Sequence, residues 1–414
     1  MSERLLVRSI PVPDPGEGFY REIPVPEALA WVRQGAGLVG WGEAARITVP
    51  AGPDRFADGE KWLREIVDTA DIDDEVRRRG SGLIAFGSFT FDDASEGSVL
   101  IVPRAILGRD GSGHAWMTVI TPEGEAVGEP PAFLAPLPPD TISWHDGSLS
   151  APEWEQAVGE AVRRITHSAE LRKVVLARDL YATATRPIDA RALIDRLARR
   201  YPGCYTFACD GLVGATPELL ISRDGWRVSS LVLAGTTPRG ATPAEDSELA
   251  SALLGSAKEN EEHQYAAASL RDSLAPLCQA MYVAPQPELI RLANLQHLGT
   301  RVRGTLNSTE RSALALAAAV HPTAAVGGTP TDAAVELIRE LESMDRERYA
   351  GPVGWVDADG NGEWCIALRC AQLNGNRARL FAGGGIVAGS DPAAELAETI
   401  TKLRPMRSAL EQAD

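Results

Sequence analysis

Two stretches of this 414-residue chain carry carboxylates three residues apart. They are Glu259 and Glu262 in SAKENEEH (256–263), and Glu395 and Glu398 in DPAAELAETITK (391–402), with Lys402 four positions beyond Glu398. On a helix, positions i and i+3 share a face, so each stretch can aim two carboxylates in one direction. Were the two faces to meet, they would suit a hard cation, and Mg2+ commonly takes one or two carboxylates, waters and an anionic group of its substrate. A solvated acidic helix face explains either pair taken alone.

Three further charged residues interrupt apolar surroundings. Lys173 opens the strand-like KVVLA, where a lysine can snorkel or pair with a carboxylate, or, once desolvated, serve as a general base. Glu218 stands between a proline and an apolar run in GATPELLIS (214–222), where burial would keep it protonated, as a general acid requires. Arg369 breaks the apolar EWCIALRCAQL and must find an anion, either a structural carboxylate or the carboxylate of a ligand. Gly235 and Gly383 to Gly385 allow close backbone approach to a ligand, or simply sharp turns.

These groups have to be positioned by a substantial core, which 414 residues at 44% hydrophobic content can supply. With 57 acidic against 41 basic residues the formal net charge is −16, the wrong sign for a nucleic-acid partner. The longest apolar run, Ala313 to Val320, falls well short of the roughly 20 residues of a membrane-spanning helix. The first residues, MSERLLVRSIPVPDP, lack the apolar segment of a secretory signal, so a cytoplasmic protein is expected. Five cysteines without paired C-x-x-C motifs are expected to be free and mostly buried.

Residues 1–150 alternate short apolar runs with Gly, Pro and Asp and are expected to form strands, as in 81–91 and 98–107, with no concentrated chemistry. A boundary is placed at the proline-dense GEPPAFLAPLPPD (128–140), before a catalytic core at 151–414, the whole expected to form one structural domain. From Trp154 a helix is followed by the strand KVVLARDLYATATR, and the pattern of helix then strands recurs. Helices are expected over 245–277 with an interruption, 310–319, 332–343 and from Pro392, and strands over 351–357, 363–371 and 378–387. The fold class is α+β with antiparallel sheets and helices outside. No nucleotide-binding loop occurs; GGGIV (383–387) lacks the G-x-G-x-x-G frame.

From about residue 154 onward, nine segments in order resemble the chorismate-utilising enzymes, which include isochorismate, salicylate, anthranilate and aminodeoxychorismate synthases. They are KVVLAR (173–178), GATPELLIS (214–222), LAGTTPRG (233–240), SAKENEEH (256–263), QHLGTRVRG (296–304), HPTAAVGGTP (321–330), RYAGPVGW (348–355), ALRCA (367–371) and AGGGIVAGSDPAAELAETITK (382–402). The resemblance implies the aminodeoxychorismate-synthase-like fold: two pseudo-repeated halves, central packed sheets, outer helices and a site in the cleft. It also implies Glu262 and Glu398 as Mg2+ ligands, and Glu259 and Glu395 as holders of the metal's waters. Arg369, Tyr349 and the Gly383 backbone would bind the enolpyruvyl carboxylate, Thr236 and His297 would line the ring site, and Lys402 would lie near the metal-bound carboxylate.

The implied reaction is conversion of chorismate to isochorismate: Lys173 takes a proton from water attacking C2, and Glu218 protonates the departing C4 hydroxyl. The resemblance places Lys173 with the water users, and Ala325, where salicylate synthases carry threonine, with the isochorismate branch. Two departures are Ala324 in place of a usual proline, expected to loosen its loop, and Gly384 in place of a usual alanine. The alternatives are a salicylate synthase, which also eliminates pyruvate, a catalytically silent binder of chorismate or metal, and a plain acidic cation-binding protein. A monomer is expected, and isochorismate would feed menaquinone, siderophore or salicylate-derived products.

Overall fold

In the strand Ala28–Arg33 every side chain but the last is buried, yet successive residues enter different cores. Leu29 and Trp31 join one apolar cluster and Ala28, Ala30 and Val32 another, as the two-residue period of a strand covered on both faces demands. This strand belongs to a sheet sandwiched between a second sheet and a layer of helices. The computed structural model describes residues 4–125 and 131–411; residues 128–130 of the proline-dense connection and residues 1–3 lie outside the described residues.

Among the described residues, thirteen strands form the first sheet and ten the second. The first runs from Ile142–Asp146 through Lys173–Ala184, Arg377–Ile386, Cys370–Asn374, Leu212–Thr216 and Tyr205–Cys209 to Ala28–Arg33 and further N-terminal strands. The second runs from Cys278–Val283 through Leu295–Leu306, Arg227–Pro238, Leu219–Asp224, Gly362–Ile366 and Pro352–Asp357 to Ile84–Ser88, Ser98–Val102 and Ala45–Val49. Strands from the first 125 residues therefore extend both sheets. Helices Ala190–Arg200 and Pro392–Glu411 cover the outer face of the first sheet, while Arg55–Thr69, Ala257–Leu274 and Ala313–Val320 pack on the second. The fold is the α+β arrangement of packed sheets and outer helices expected above, and the sheets are antiparallel except where Leu5–Val12 pairs in parallel with Asp71–Asp74.

The expected strand over 363–371 is in fact two strands in different sheets. Gly362–Ile366 lies in the second sheet and Cys370–Asn374 in the first, and the chain crosses between them at residues 367–369. Arg369 takes φ 50°, a left-handed conformation rare for a non-glycine residue, and this turns the chain. A matching crossing occurs at Pro217 and Glu218, between Leu212–Thr216 of the first sheet and Leu219–Asp224 of the second. The two crossings touch: Ile366 N donates to Glu218 O at 3.2 Å, and Ala215 N donates to Arg369 O at 3.3 Å.

Among the elements that escape the sequence reading, two are substantial. Residues 1–150 include a helix, Arg55–Thr69, whose Phe56, Leu63 and Ile66 face the core. Strand Cys278–Val283 lies at the edge of the second sheet with mostly exposed or half-exposed side chains, so its sequence lacks a buried-strand signal. The interruption expected within 245–277 falls at Ser256, whose hydroxyl accepts from Glu259 N and so caps the following helix. Among the described residues no helix is long and apolar enough to cross a membrane, and all five cysteines are free, four of them buried.

Candidate active site

The crossings at Glu218 and Arg369 form part of the wall of a pocket between the sheets and the two carboxylate-bearing helices. Of the residues singled out from the sequence, Glu218, Thr236, Glu262, His297, Ala325, Tyr349, Arg369, Gly383 and Lys402 line it. Lys173, Glu259, Glu395 and Glu398 stand immediately behind them, in the contacts described below.

Glu218 is 4% exposed. Burial pushes its carboxyl up to about 8; the Leu233 N–H and the charges of Lys173, Arg369 and Lys402 offset this only in part. It is therefore a neutral acid at pH 7. Arg369 is 9% exposed, and among the described residues its guanidinium has neither an ion pair nor a side-chain hydrogen bond. The structural salt bridge open to it on sequence grounds is not formed, so the pocket presents a cation without a protein counter-ion. Tyr349 stacks on Phe381, with ring centroids 5.0 Å apart, in the same wall.

His297 and Thr236 pair across neighbouring strands, with His297 Nδ1 3.1 Å from the Thr236 hydroxyl. Burial, reinforced by Arg369 and Lys402, holds the imidazole well below its ordinary pKa, so it is neutral, and its Nε2 is buried without a protein partner. A β-bulge at Gly235, with φ 77°, turns Thr236 N toward Glu259, which accepts from it at 3.0 Å.

The two acidic helix turns do meet. Lys258, which sequence reasoning passed over although it adjoins Glu259, reaches from its helix to Glu395 on the other, with Nζ 2.7 Å from Glu395 Oε1 and 3.6 Å from Glu259 Oε1. Lys173, fully buried, places Nζ 3.2 Å from Glu262 Oε1, and Lys402 pairs with Glu398 while donating to Gly383 O at 2.8 Å. Burial and then the neighbouring Glu262 raise the Glu259 carboxyl, and burial and then Glu398 raise Glu395. Burial also pushes Glu398 up, but Lys402 reverses this and leaves it below its ordinary value.

Gly385 supports this arrangement by absence of a side chain. A Cβ there would stand 2.0 Å from Glu262 Oε1 and 2.9 Å from Lys173 Cε. At Gly384 it would meet only Glu395 Oε2, at 2.9 Å. Among the described residues no three His, Cys, Asp or Glu side chains are arranged to hold a metal as they stand, and lysines engage oxygens of Glu262, Glu395 and Glu398. In donor chemistry, however, four carboxylates on the first two turns of two helices fit a hard cation, which would relieve the repulsion that adds to burial in raising Glu259 and Glu395.

The loop carrying Ala325 is tied by means a proline would forbid: Ala324 N donates to Ser269 Oγ at 3.2 Å. Sequence reasoning also missed Arg346, which lines the pocket and forms a buried ion pair with Glu342 beyond the end of the helix Thr331–Leu341, where no helical spacing announces it.

A crossed pair of sheets with a neutral acid, an unpaired arginine and facing acidic helices defines an enzyme site, and the class is identified by similarity. Residues 134–411 match the family described as chorismate binding enzyme, and the chain belongs to that family. It is 41% identical over 347 residues to a Mycobacterium tuberculosis chain named for isochorismate synthase MenF, covering 80% of this chain and 88% of the relative. It is likewise 41% identical over 280 residues to isochorismate synthase DhbC of Bacillus subtilis, covering 65% of this chain and 70% of that one. Among solved structures, MenF, the menaquinone-specific isochorismate synthase of Escherichia coli, superposes with a TM-score of 0.79 at 26% identity, covering 99% of this chain and 95% of that one.

Proposed function

We propose that this enzyme is a magnesium-dependent isochorismate synthase, adding water at C2 of chorismate and expelling the C4 hydroxyl. The observation that carries the reading is Glu218: a carboxyl raised to about 8 and placed in a pocket beside an unpaired arginine is suited to protonate a leaving hydroxyl of an anionic substrate. The relatives above bear isochorismate synthase names, which favours the same reaction here.

Glu262 and Glu398 would hold Mg2+, with Glu259 and Glu395 orienting its waters and the lysines now on these oxygens giving way. When bound, the ion neutralises the ring carboxylate and draws electron density from the conjugated ring, so that C2 becomes electrophilic. Arg369 and Tyr349 bind the enolpyruvyl carboxylate, and Gly383 N–H lies alongside. Thr236 and the neutral His297, with its unpartnered Nε2, take up hydrogen bonds from the ring. Lys173 removes a proton from water as it attacks C2, and Glu218 gives its proton to the C4 oxygen, so the two charges change in opposite directions and the net charge of the site is preserved.

Ala325 leaves the wall beside the enolpyruvyl group small, which favours release of isochorismate over the pyruvate elimination of a salicylate synthase. The test is incubation with chorismate, with and without Mg2+, with chromatographic separation and a pyruvate assay. Mg2+-dependent isochorismate without pyruvate is expected. Salicylate with equimolar pyruvate would move the assignment to the lyase branch, and an unchanged substrate would leave a silent binder. The reading takes the enzyme to act as a cytoplasmic monomer, which gel filtration and cell fractionation check.

A further inference from the structure

The strand Lys173–Ala184 pairs along one side with Arg377–Ile386. Along the other side it pairs with Gly328–Thr329 at Lys173 and Val174, and with Ile142–Asp146 from Leu180 onward. Between these, Val175 and Ala177 turn their backbone groups toward an edge that no strand of the described residues fills. An orphaned buried peptide group is costly, so each must find a partner. All four do: Val175 N donates to Gly327 O at 2.8 Å, Val175 O accepts from Arg346 Nη2 at 2.7 Å, Ala177 N donates to Glu342 Oε1 at 2.7 Å, and Ala177 O accepts from Trp154 Nε1 at 3.1 Å.

Arg346 does more than complete the edge. Its Nη1 donates to Val326 O at 2.8 Å, its Nε to Glu342 Oε2 at 2.9 Å, and its guanidinium lies over the Phe91 ring at 4.3 Å. Both charged side chains are buried, at 2% and 1% exposure. A buried ion pair is a poor device for stability, since apolar residues of similar volume commonly serve as well. What apolar residues cannot do is hold two carbonyls of different segments at once, and a rigid guanidinium fork can.

We infer that Arg346 and Glu342 are positioning residues for the reaction: they lock the strand that carries Lys173 against the Ala325–Val326 wall and so fix where the lysine amine stands relative to the carbon under attack. The inference rests on the reading of Lys173 as base. Misplacement of a reacting group by about 1 Å can cost about 100-fold in rate. A lysine at 346 keeps the charge but replaces the rigid two-nitrogen fork with one nitrogen on a flexible stem, so it holds the two carbonyls less firmly; glutamine at 342 keeps an oxygen for Ala177 N–H.

The experiment measures chorismate turnover and deuterium uptake for Arg346→Lys and Glu342→Gln. For Arg346→Lys, kcat is expected to fall about 10- to 100-fold with KM within about threefold, and uptake to rise in peptides spanning 173–179 and 325–328. Glu342→Gln is expected to lose much less. A folded Arg346→Lys with wild-type kcat overturns the inference, as does uptake unchanged in those peptides, or kcat and KM both altered in step with global unfolding. Wild-type protein that fails to consume chorismate sinks the reading of Lys173 instead, and the exchange data then decide the bracing of the strand by themselves.

Discussion

Glu218 and Arg369 occupy two of the places where the chain passes from one sheet to the other, and hydrogen bonds from Ile366 N to Glu218 O and from Ala215 N to Arg369 O join these two crossings. The acid and the cation are thus fixed relative to one another by backbone, at the point where each chain crossing exposes a side chain to the pocket.

The Glu218 carboxyl, raised to about 8, sets a pH dependence. An acid catalyst must be protonated, so kcat is expected to decline as pH rises through about 8. Stability shares the direction: the folded state holds this proton more tightly than the unfolded chain, so the contribution is complete below the ordinary carboxylate range and is lost as pH rises through about 8. Glu218→Gln should abolish turnover and flatten that part of the stability profile in denaturant titrations. A wild-type kcat level from pH 7 to pH 9.5 would remove Glu218 as the acid.

Lys173→Ala is expected to reduce chorismate hydration by about 10²–10⁴-fold in a protein whose circular dichroism is unchanged, the range for loss of a general base. Near-normal turnover in the folded variant rejects the assignment.

Two buried arginines should respond oppositely to removal. Arg346→Met strips a buried carboxylate of its partner and should destabilise by about 3–5 kcal/mol in urea unfolding. Arg369→Met breaks no ion pair, so stability should change by no more than about 1 kcal/mol, whereas KM for chorismate should rise about tenfold or more from loss of a charge-assisted bond. An unchanged KM would show that this guanidinium does not hold the substrate.

The adjacent glycines separate in the same way. Gly385→Ala drives a methyl into Glu262 and Lys173 and is expected to abolish activity, while Gly384→Ala meets only the end of the Glu395 side chain and should be tolerated. Comparable activities for the two variants would mean that the carboxylate of Glu262 is not needed where it stands.

Glu262→Gln and Glu398→Gln should each raise the Mg2+ concentration needed for half-maximal activity, and should weaken Mg2+ binding in calorimetry. Magnesium titrations superimposable on wild type would reject these ligands.

The sequence discloses the site's chemistry more readily than the backbone that arranges it. The i, i+3 carboxylates lie on true helices, and the apolar run around Glu218 predicts its burial. The break at Arg369 is invisible because residues on either side remain apolar and strand-forming; only the partner sheet changes, and no glycine marks the left-handed residue. The helix Arg55–Thr69 hides behind its polar face, although Phe56, Leu63 and Ile66 recur at helical intervals. Lys258 and Arg346 were overlooked because a surface reading suffices for each until two distant segments are seen to meet at it.

The pairing of Ala28–Arg33 with Tyr205–Cys209, and of Ile84–Ser88 with Pro352–Asp357, bears on how the molecule is made. During synthesis, at about 5–20 residues per second, the N-terminal strands emerge tens of seconds before the partners that close either sheet. Ile84–Ser88 and Ser98–Val102, buried throughout in the finished protein, must wait with only Ala45–Val49 and the helix Arg55–Thr69 beside them. Neither sheet can be completed until strands near the C-terminal end of the chain arrive, so the closing contacts of both are among the most widely separated in sequence.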